Sequence, residues 1–359
     1  MSTLIIGAGL IGGSIGLALR QRGERVLIRD ASPGTVRLAT ELGVGESADD
    51  AAPDLVVVAT PPDVTAAVVI DALREFPEAV VLDVASVKES IQNRVLEAAT
   101  DPARYVGTHP MAGREMSGVV AARSDLFLGR PFVLVPHEQS AANAITAAER
   151  FGHALGSFVM RMEAAAHDEA VAYVSHTPQL VASLLAGRLQ EAAESSLSLA
   201  GQGLRDTTRI AHSDPRLWVE ILSANAPAIQ PILAQLHEDL GHVVRSFDEL
   251  VDPDGAPGSR AVIARTIASG NLGVARIPGK HGSGTDSFAQ FTVLVPDEPG
   301  QIGRLLTDMG EAGINVEDLR LEHSLGQPVG LAHVSVLKRD EARMRDMLAH
   351  RGWAHTGQD

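Results

Sequence analysis

Three glycines and one histidine carry the most readable chemistry in this chain. Gly7, Gly9 and Gly12 fall in Thr3-Leu4-Ile5-Ile6-Gly7-Ala8-Gly9-Leu10-Ile11-Gly12, a short apolar run entering GxGxxG. In such a run the first glycine permits a tight turn, the second lets the main chain approach a pyrophosphate, and the third lets the following helix pack closely. Gly7, Gly9, Leu10, Ile11 and Gly12 therefore read as a dinucleotide cradle, with the pyrophosphate on the helix N-terminus. Asp30 ends the second apolar run, a little over twenty residues past Gly7. A carboxylate there bonds ribose hydroxyls and repels the extra phosphate of NADP, so NAD is the expected cofactor. Arg29, its neighbour, works against that exclusion. His109 follows Tyr105-Val106-Gly107-Thr108. An imidazole that titrates near neutrality suits it to take a hydroxyl proton during hydride transfer. Taken alone, a histidine beside a proline is more often structural. A dinucleotide site together with a proton acceptor points to a dehydrogenase.

Other candidates lie at strand exits and on helices. Thr60, in Val58-Ala59-Thr60-Pro61-Pro62, is placed for the cofactor crevice or for a cap. Ser86, in Asp83-Val84-Ala85-Ser86-Val87-Lys88, reads either as a partner of the nicotinamide end or the substrate or as a helix cap. Arg209 could clamp a substrate carboxylate through two hydrogen bonds, or simply pair with Asp206 at helical spacing. Arg114 and Glu115 follow His109 closely enough to shape a pocket or to face solvent. His167, His176 and His212 invite a metal assignment, but no HExxH or carboxylate cluster completes a site, so no metal is expected. His176 and Gln179 share a helix face at i, i+3 spacing.

The elements that must position these residues follow from hydrophobic periodicity. Apolar runs at Leu4–Ile6, Arg25–Ile28, Leu55–Ala59, Val80–Asp83 and Pro131–Val135 predict strands. Helical patterns over Gly12–Arg22, Val64–Glu75 and Lys88–Ala99 alternate with them, which predicts a parallel sheet covered on both faces. From about His167 to Leu250 strand patterns stop and Ala, Leu, Glu and Gln recur at helical spacing. Ser213-Asp214-Pro215 reads there as a helix start. Val251–Gly258 is a turn-rich break, followed by a short helix near Arg260–Ser269, and residues 277–287 read as a linker. Phe288–Val295 opens a small β/α unit, with a helix to Ala312 and strands near Asn315–Leu321 and Leu331–Leu337.

Composition narrows the partners. With 359 residues the chain expects two or three domains. A net charge of −15 argues against a nucleic-acid backbone, which needs clustered Lys and Arg. The chain contains no cysteine, which excludes disulfides and thiolate catalysis. No apolar stretch is long enough for a membrane span and no secretory leader opens the sequence, so a cytoplasmic protein is expected.

The ordered set of motifs resembles the prephenate/arogenate dehydrogenase family of tyrosine biosynthesis. The resemblance rests on GAGLIGGS at Gly7–Ser14, DVASVK at Asp83–Lys88, GTHPMAGRE at Gly107–Glu115, HDEAVAYVSHTPQL at His167–Leu180 and GQGLRDTTRIAHSDPRLW at Gly201–Trp218. It spans nearly the whole chain. It implies an α/β fold: an N-terminal Rossmann-type doubly wound sheet (1–162), an all-helical dimerisation domain (163–276), and a C-terminal small α+β ACT-like domain (288–359). By that likeness His109 accepts the ring hydroxyl's hydrogen bond or proton, Ser86 supports the group near the nicotinamide, and Arg209 holds a substrate carboxylate. Glu115 and Asp206 match an ionic network at the pocket mouth; Ser175, His176 and Trp218 match pocket residues. Gln179 stands where many relatives carry a histidine, and Arg114 where some carry a small polar residue. The resemblance further implies a homodimer, prephenate or arogenate as substrate, and tyrosine as an effector near Gly300 and Asn315.

Two rival readings are set aside. A hydroxyacid dehydrogenase needs a catalytic lysine in the helical region, and none occurs between His167 and Leu250. A non-catalytic NAD and amino-acid sensor would not need His109, Ser86 and Arg209 together.

Overall fold

The fold comes from a computed structural model that describes residues 2–48, 52–114, 116–251, 258–277, 288–323 and 329–357. The chain divides into two compact units, residues 1–197 with 207–236, and residues 198–206 with 237–359.

The first unit opens with β1 (Ser2–Ile6), α1 (Leu10–Gln21), β2 (Arg25–Arg29), α2 (Pro33–Glu41), β3 (Glu46–Ser47), β4 (Leu55–Val58), α3 (Pro62–Glu75), β5 (Val80–Asp83) and α4 (Glu89–Ala98). It continues with β6 (Tyr105–Pro110), β7 (Pro131–Val135), α5 (Ala142–Ala154) and β8 (Phe158–Arg161). The strands form one sheet in the order β3-β2-β1-β4-β5-β6-β7-β8. The order reverses direction between β1 and β4, so a crevice opens at the carboxyl ends of those strands, where doubly wound sheets bind ligands. Strands β1 to β6 pair in parallel. β7 runs antiparallel to β6, and β8 parallel to β7. The expected all-parallel sheet is thus mixed at one end.

Alternate residues of each strand feed two cores. Ile5, Ile28, Val57, Leu82 and Leu134 pack with Ile15, Leu19 and Phe151 on one face. Leu4, Leu27, Val56, Val58 and Val81 pack with Val69, Ile91 and Ile221 on the other. Burial on both faces explains why these strands read as continuous apolar runs.

A helical region follows: α6 (Ala164–Val171), a π turn (Ala172–His176), α7 (Thr177–Arg188), α8 (Glu194–Leu197), α9 (Gln202–Thr208), α10 (Pro215–Ala224), α11 (Ala226–Val251) and α12 (Ser259–Ala275). The π turn joins α6 to α7 without a break. Pro178 lacks an N–H for an α-helical bond at this point, and such wide turns absorb the defect. Asp214 caps α10, its side chain accepting from the Arg216 N–H at 2.9 Å. α12 runs well beyond the expected Arg260–Ser269.

The C-terminal part comprises β9 (Phe288–Pro296), α13 (Gln301–Glu311), β10 (Asp318–His323), β11 (Val329–Leu337), α14 (Glu341–His350) and β12 (His355–Gly357). Its antiparallel sheet has the order β10-β11-β9-β12. β9 and β11 bury alternate residues. Phe291, Val293, Val334 and Val336 thereby pack on Leu305, Met309, Met344 and Leu348.

Candidate functional site

The cofactor cradle is made of main chain. β1 ends at Ile6, and Gly7 turns the chain at φ 102°, its N–H bonding Arg29 O at 2.8 Å. A Cβ on Gly7 would lie 2.4 Å from Ala59 O, and one on Gly12 only 1.9 Å from Gly7 O. Neither position admits a side chain. Gly9 differs, because a Cβ there would meet nothing within 4 Å. The protein itself does not need that glycine, whereas a pyrophosphate lying against the loop does. α1 begins at the next residue with no side-chain cap and no acid in its first turn, which leaves its first amides to an anion.

Asp30 locks the loop to the end of β2. Its Oδ2 accepts the Ala8 N–H and its Oδ1 the Ser32 N–H, both at 2.8 Å. Each oxygen keeps lone pairs for ribose hydroxyls. Arg29 is occupied elsewhere. Its two terminal nitrogens donate to Glu75 at 2.7 and 2.8 Å, and its guanidinium lies 5.5 Å from the Phe76 ring centroid. The pairing raises the Arg29 pKa and lowers that of Glu75. Thr60 makes a local turn, its hydroxyl 3.0 Å from that of Thr65. The cap of α3 is Pro61.

The second component is a chain of buried side chains ending at His109. β6 is buried throughout. His109 Nδ1 lies 2.9 Å from His167 Nε2, and His167 Nδ1 lies 2.7 Å from Asp168 Oδ1. Asp168 also accepts the peptide N–H groups of Lys88 at 2.8 Å and Glu89 at 2.9 Å, so it tethers α6 to the start of α4. Lys88 is wholly buried, and its ammonium pairs with Asp83. Asp83 also accepts from the Tyr105 hydroxyl and the Ala85 N–H. Gly107 makes room for this cluster, since a Cβ there would crowd Tyr105 Oη at 3.2 Å and Lys88 Cδ at 3.3 Å.

Burial pushes the His109 pKa well below the ordinary imidazole value, and the neighbouring His167, Lys88 and His176 push the same way. His109 is therefore neutral at neutral pH, as a proton acceptor must be.

The π turn carries Ser175 and His176. His176 is 1% exposed and stands edge-on to Trp218, with ring centroids 6.2 Å apart. Burial brings its pKa down to about 4, with Asp168 opposing and His167 adding. Asn225 Nδ2 donates to Asp168 O at 2.8 Å and lies 2.9 Å from His176 Nδ1. A neutral His176 that accepts at Nδ1 keeps its proton on Nε2. Gln179 is buried and donates through Nε2 to Ser213 Oγ at 2.7 Å, tying α7 to the segment before α10.

The structure thus gathers His109 and His176 around Asp168, with Trp218 beside His176. Ser86 sits in the β5–α4 loop, half-buried, with no hydrogen bond among the described residues; the cap of α4 is Lys88. Arg114 is exposed and donates one bond to Ala121 O at 3.1 Å. Arg209 opens an exposed 3₁₀ turn after α9. Asp206 belongs to the second unit, where it accepts from Gln202 Nε2 at 2.8 Å. Glu115 lies outside the described residues. Sequence reasoning weighed His167 only as a metal ligand and missed Asp168, Asp83, Lys88 and Asn225. One signal was available: Lys88 is one of only three lysines in the chain and falls directly after a strand.

Comparison with known proteins identifies the family. Residues 15–160 match the model of the prephenate dehydrogenase nucleotide-binding domain, and residues 163–250 that of the prephenate dehydrogenase dimerization domain. The probable prephenate dehydrogenase NovF of Streptomyces niveus is 34% identical over 358 residues, covering 98% of both chains. The prephenate dehydrogenase of Bacillus subtilis is 27% identical over 357 residues, covering 95% of this chain and 93% of its own. In fold, the Aquifex aeolicus prephenate dehydrogenase crystallised with hydroxyphenyl propionate and NAD+ superposes with a TM-score of 0.64 at 24% identity, covering 76% of this chain and 98% of that one. With the full-length likeness at 34% identity and both domain models matched in order, the chain belongs to the prephenate dehydrogenase family.

Proposed function

We propose that the protein catalyses the NAD-dependent oxidative decarboxylation of prephenate to 4-hydroxyphenylpyruvate and carbon dioxide. The observation that carries this reading is His109: a buried, neutral imidazole in the same compact unit as a dinucleotide cradle. NAD, when bound, supplies the acceptor for the hydride that leaves the carbinol carbon. Gly7, Gly9, Gly12 and Asp30 would hold it, and the engagement of Arg29 by Glu75 favours it over NADP. His109 takes the hydroxyl proton on Nε2 while the oxygen's electron pair forms the carbonyl. The bond to the ring carboxylate then breaks, and its pair moves through the ring to that oxygen. His109 returns the proton to it, so no net proton leaves a site whose base is buried. Arg209 orients the substrate through a carboxylate, and Ser86, Ser175, His176, Gln179 and Trp218 line its pocket. By the family resemblance Glu115 and Asp206 are assigned to an ionic network, and Arg114 to specificity.

The C-terminal part, residues 288–359, is proposed to be regulatory. The order β10-β11-β9-β12 with α13 and α14 on one face fits an ACT-like fold. Tyrosine would bind near Gly300, which starts α13 at φ 90°, and Asn315, whose amide donates to Glu317 at 2.9 Å. Control by tyrosine requires different affinities for two states. The matched dimerization domain supports a homodimer.

Formation of NADH by the purified protein with prephenate or arogenate, with and without tyrosine, tests all of this. Turnover of prephenate that tyrosine lowers is the expected result. Turnover of arogenate alone would reassign the substrate and point to Arg114 and Gln179. NAD binding without turnover of either would overturn the enzyme.

A further inference from the structure

We propose that Asp168 and His167 are positioning residues that decide which ring nitrogen of His109 carries the proton, so that the three side chains act as one base. This rests on the reading of His109 as the proton acceptor. Two main-chain donors at this site cannot reverse their roles. The N–H groups of Lys88 and Glu89, at the start of α4, each donate to one oxygen of Asp168. Held in that way, Asp168 is an acceptor on both oxygens, a role the positive end of a helix reinforces. His167 Nδ1, 2.7 Å from Oδ1, must then be the donor. In the proposed relay His167 is neutral and has one N–H, so its Nε2 is bare and accepts from His109 Nδ1 at 2.9 Å. The lone pair of His109 is left on Nε2, the nitrogen that faces away from the relay. The opposite tautomer would place an N–H where the base is needed.

The surroundings leave the tautomer as the remaining variable. Burial and the Lys88 ammonium, in the β5–α4 loop, oppose a positive charge on His109. Asp168 is the nearest anion of the relay, while the charge of Asp83 is already bound to Lys88 and Tyr105. His109 is thereby kept neutral, and the chain of bonds from the α4 amides decides the rest. His176, facing Asn225, carries its proton on the other nitrogen, so the same tertiary cluster prepares one acceptor and one donor.

The test begins with the full-length wild-type enzyme, whose turnover of prephenate with NAD must first be shown; failure there would sink the functional reading and leave the relay unaddressed by it. Ring-nitrogen NMR of the folded wild-type protein, with His109 assigned from the His109→Asn spectrum, reads the tautomer directly and needs no relay variant to fold. A proton on Nδ1 and none on Nε2 is expected; a proton on Nε2 would overturn the proposal. Asp168→Asn should then lower kcat on the order of 10²–10⁴-fold, with KM and NAD affinity little changed. In a His109→Asn background the same change should cost almost nothing further, because members of one unit are not additive. An equal loss in both backgrounds would show Asp168 to be merely structural, and kcat within about threefold of wild type would show that the relay is idle.

Discussion

The cofactor loop and the proton relay lie in one compact unit but are built in opposite ways. The loop takes its geometry from missing side chains, from a main-chain bond between Gly7 and Arg29, and from the Asp30 carboxylate at the end of β2. The relay takes its geometry from buried polar side chains contributed by residues 83–89, 109, 167–168, 176 and 225. Parts of the loop are separable, since a Cβ on Gly12 would collide with Gly7 O while one on Gly9 would meet nothing, which leaves Gly9 to the proposed ligand role. Parts of the relay are not, since each buried polar group holds the next and an unpaired one is costly.

The largest effect that would break this contrast comes from the relay's end. His109→Asn should lower turnover on the order of 10²–10⁴-fold while the NAD dissociation constant stays the same. Near-normal turnover would remove His109 from the chemistry. Next is Lys88→Met, which leaves the buried Asp83 carboxyl without its cation, held only by Tyr105 Oη and the Ala85 N–H. Chemical denaturation should show a loss of about 3–5 kcal/mol, partly recovered when Asp83→Asn is added. A loss no larger than at an exposed lysine would show that the cluster is solvated.

The loop should behave differently. Gly12→Ala should destabilise the fold by about 1–3 kcal/mol or more and weaken NAD binding as well. Gly9→Ala should leave the melting temperature unchanged and weaken NAD binding by about tenfold or more, read by titration. Equal effects on melting would erase the distinction between packing and ligand glycines.

Acid should separate the two regions further. His176 titrates near 4 when folded against about 6.5 when unfolded, so the unfolded chain binds its proton first. The stability contributed by neutral His176 is complete above about 6.5 and is lost as pH falls toward 4, by up to about 1.4 kcal/mol per pH unit. Denaturation across that window should show the slope, and His176→Gln should flatten it. The smallest effect belongs to the exposed Arg29–Glu75 pair. Glu75→Gln should cost less than about 1 kcal/mol. It should raise the ratio of NADP to NAD use by about two- to fivefold, measured as kcat/KM.

The boundaries of β1, β2, β4, β5 and β7 were legible because each is a short apolar run buried on both faces. β6 was harder, since Gly107, Thr108 and His109 interrupt the apolar pattern although all three are buried. The reversal of β7 against β6 left no local mark, because strand direction is set by the connection and not by the strand. The glycine turn and the place of Asp30 at the end of β2 were legible because their spacing is local. His167 was seen without its partners, and Asp168 and Asn225 looked like ordinary polar residues on helices.

The sequence by itself determined most of the elements and pointed to the glycine loop and His109 as candidates, since periodicity and short motifs act over a few residues. The neutral state of His109 and its proposed tautomer come only from the tertiary structure. Both depend on burial and on hydrogen bonds between residues about 20 to 80 positions apart, such as Asp168 with the Lys88 amide and His167 with His109. No local pattern encodes such distances; packing α6 and the π turn against the end of β6 does.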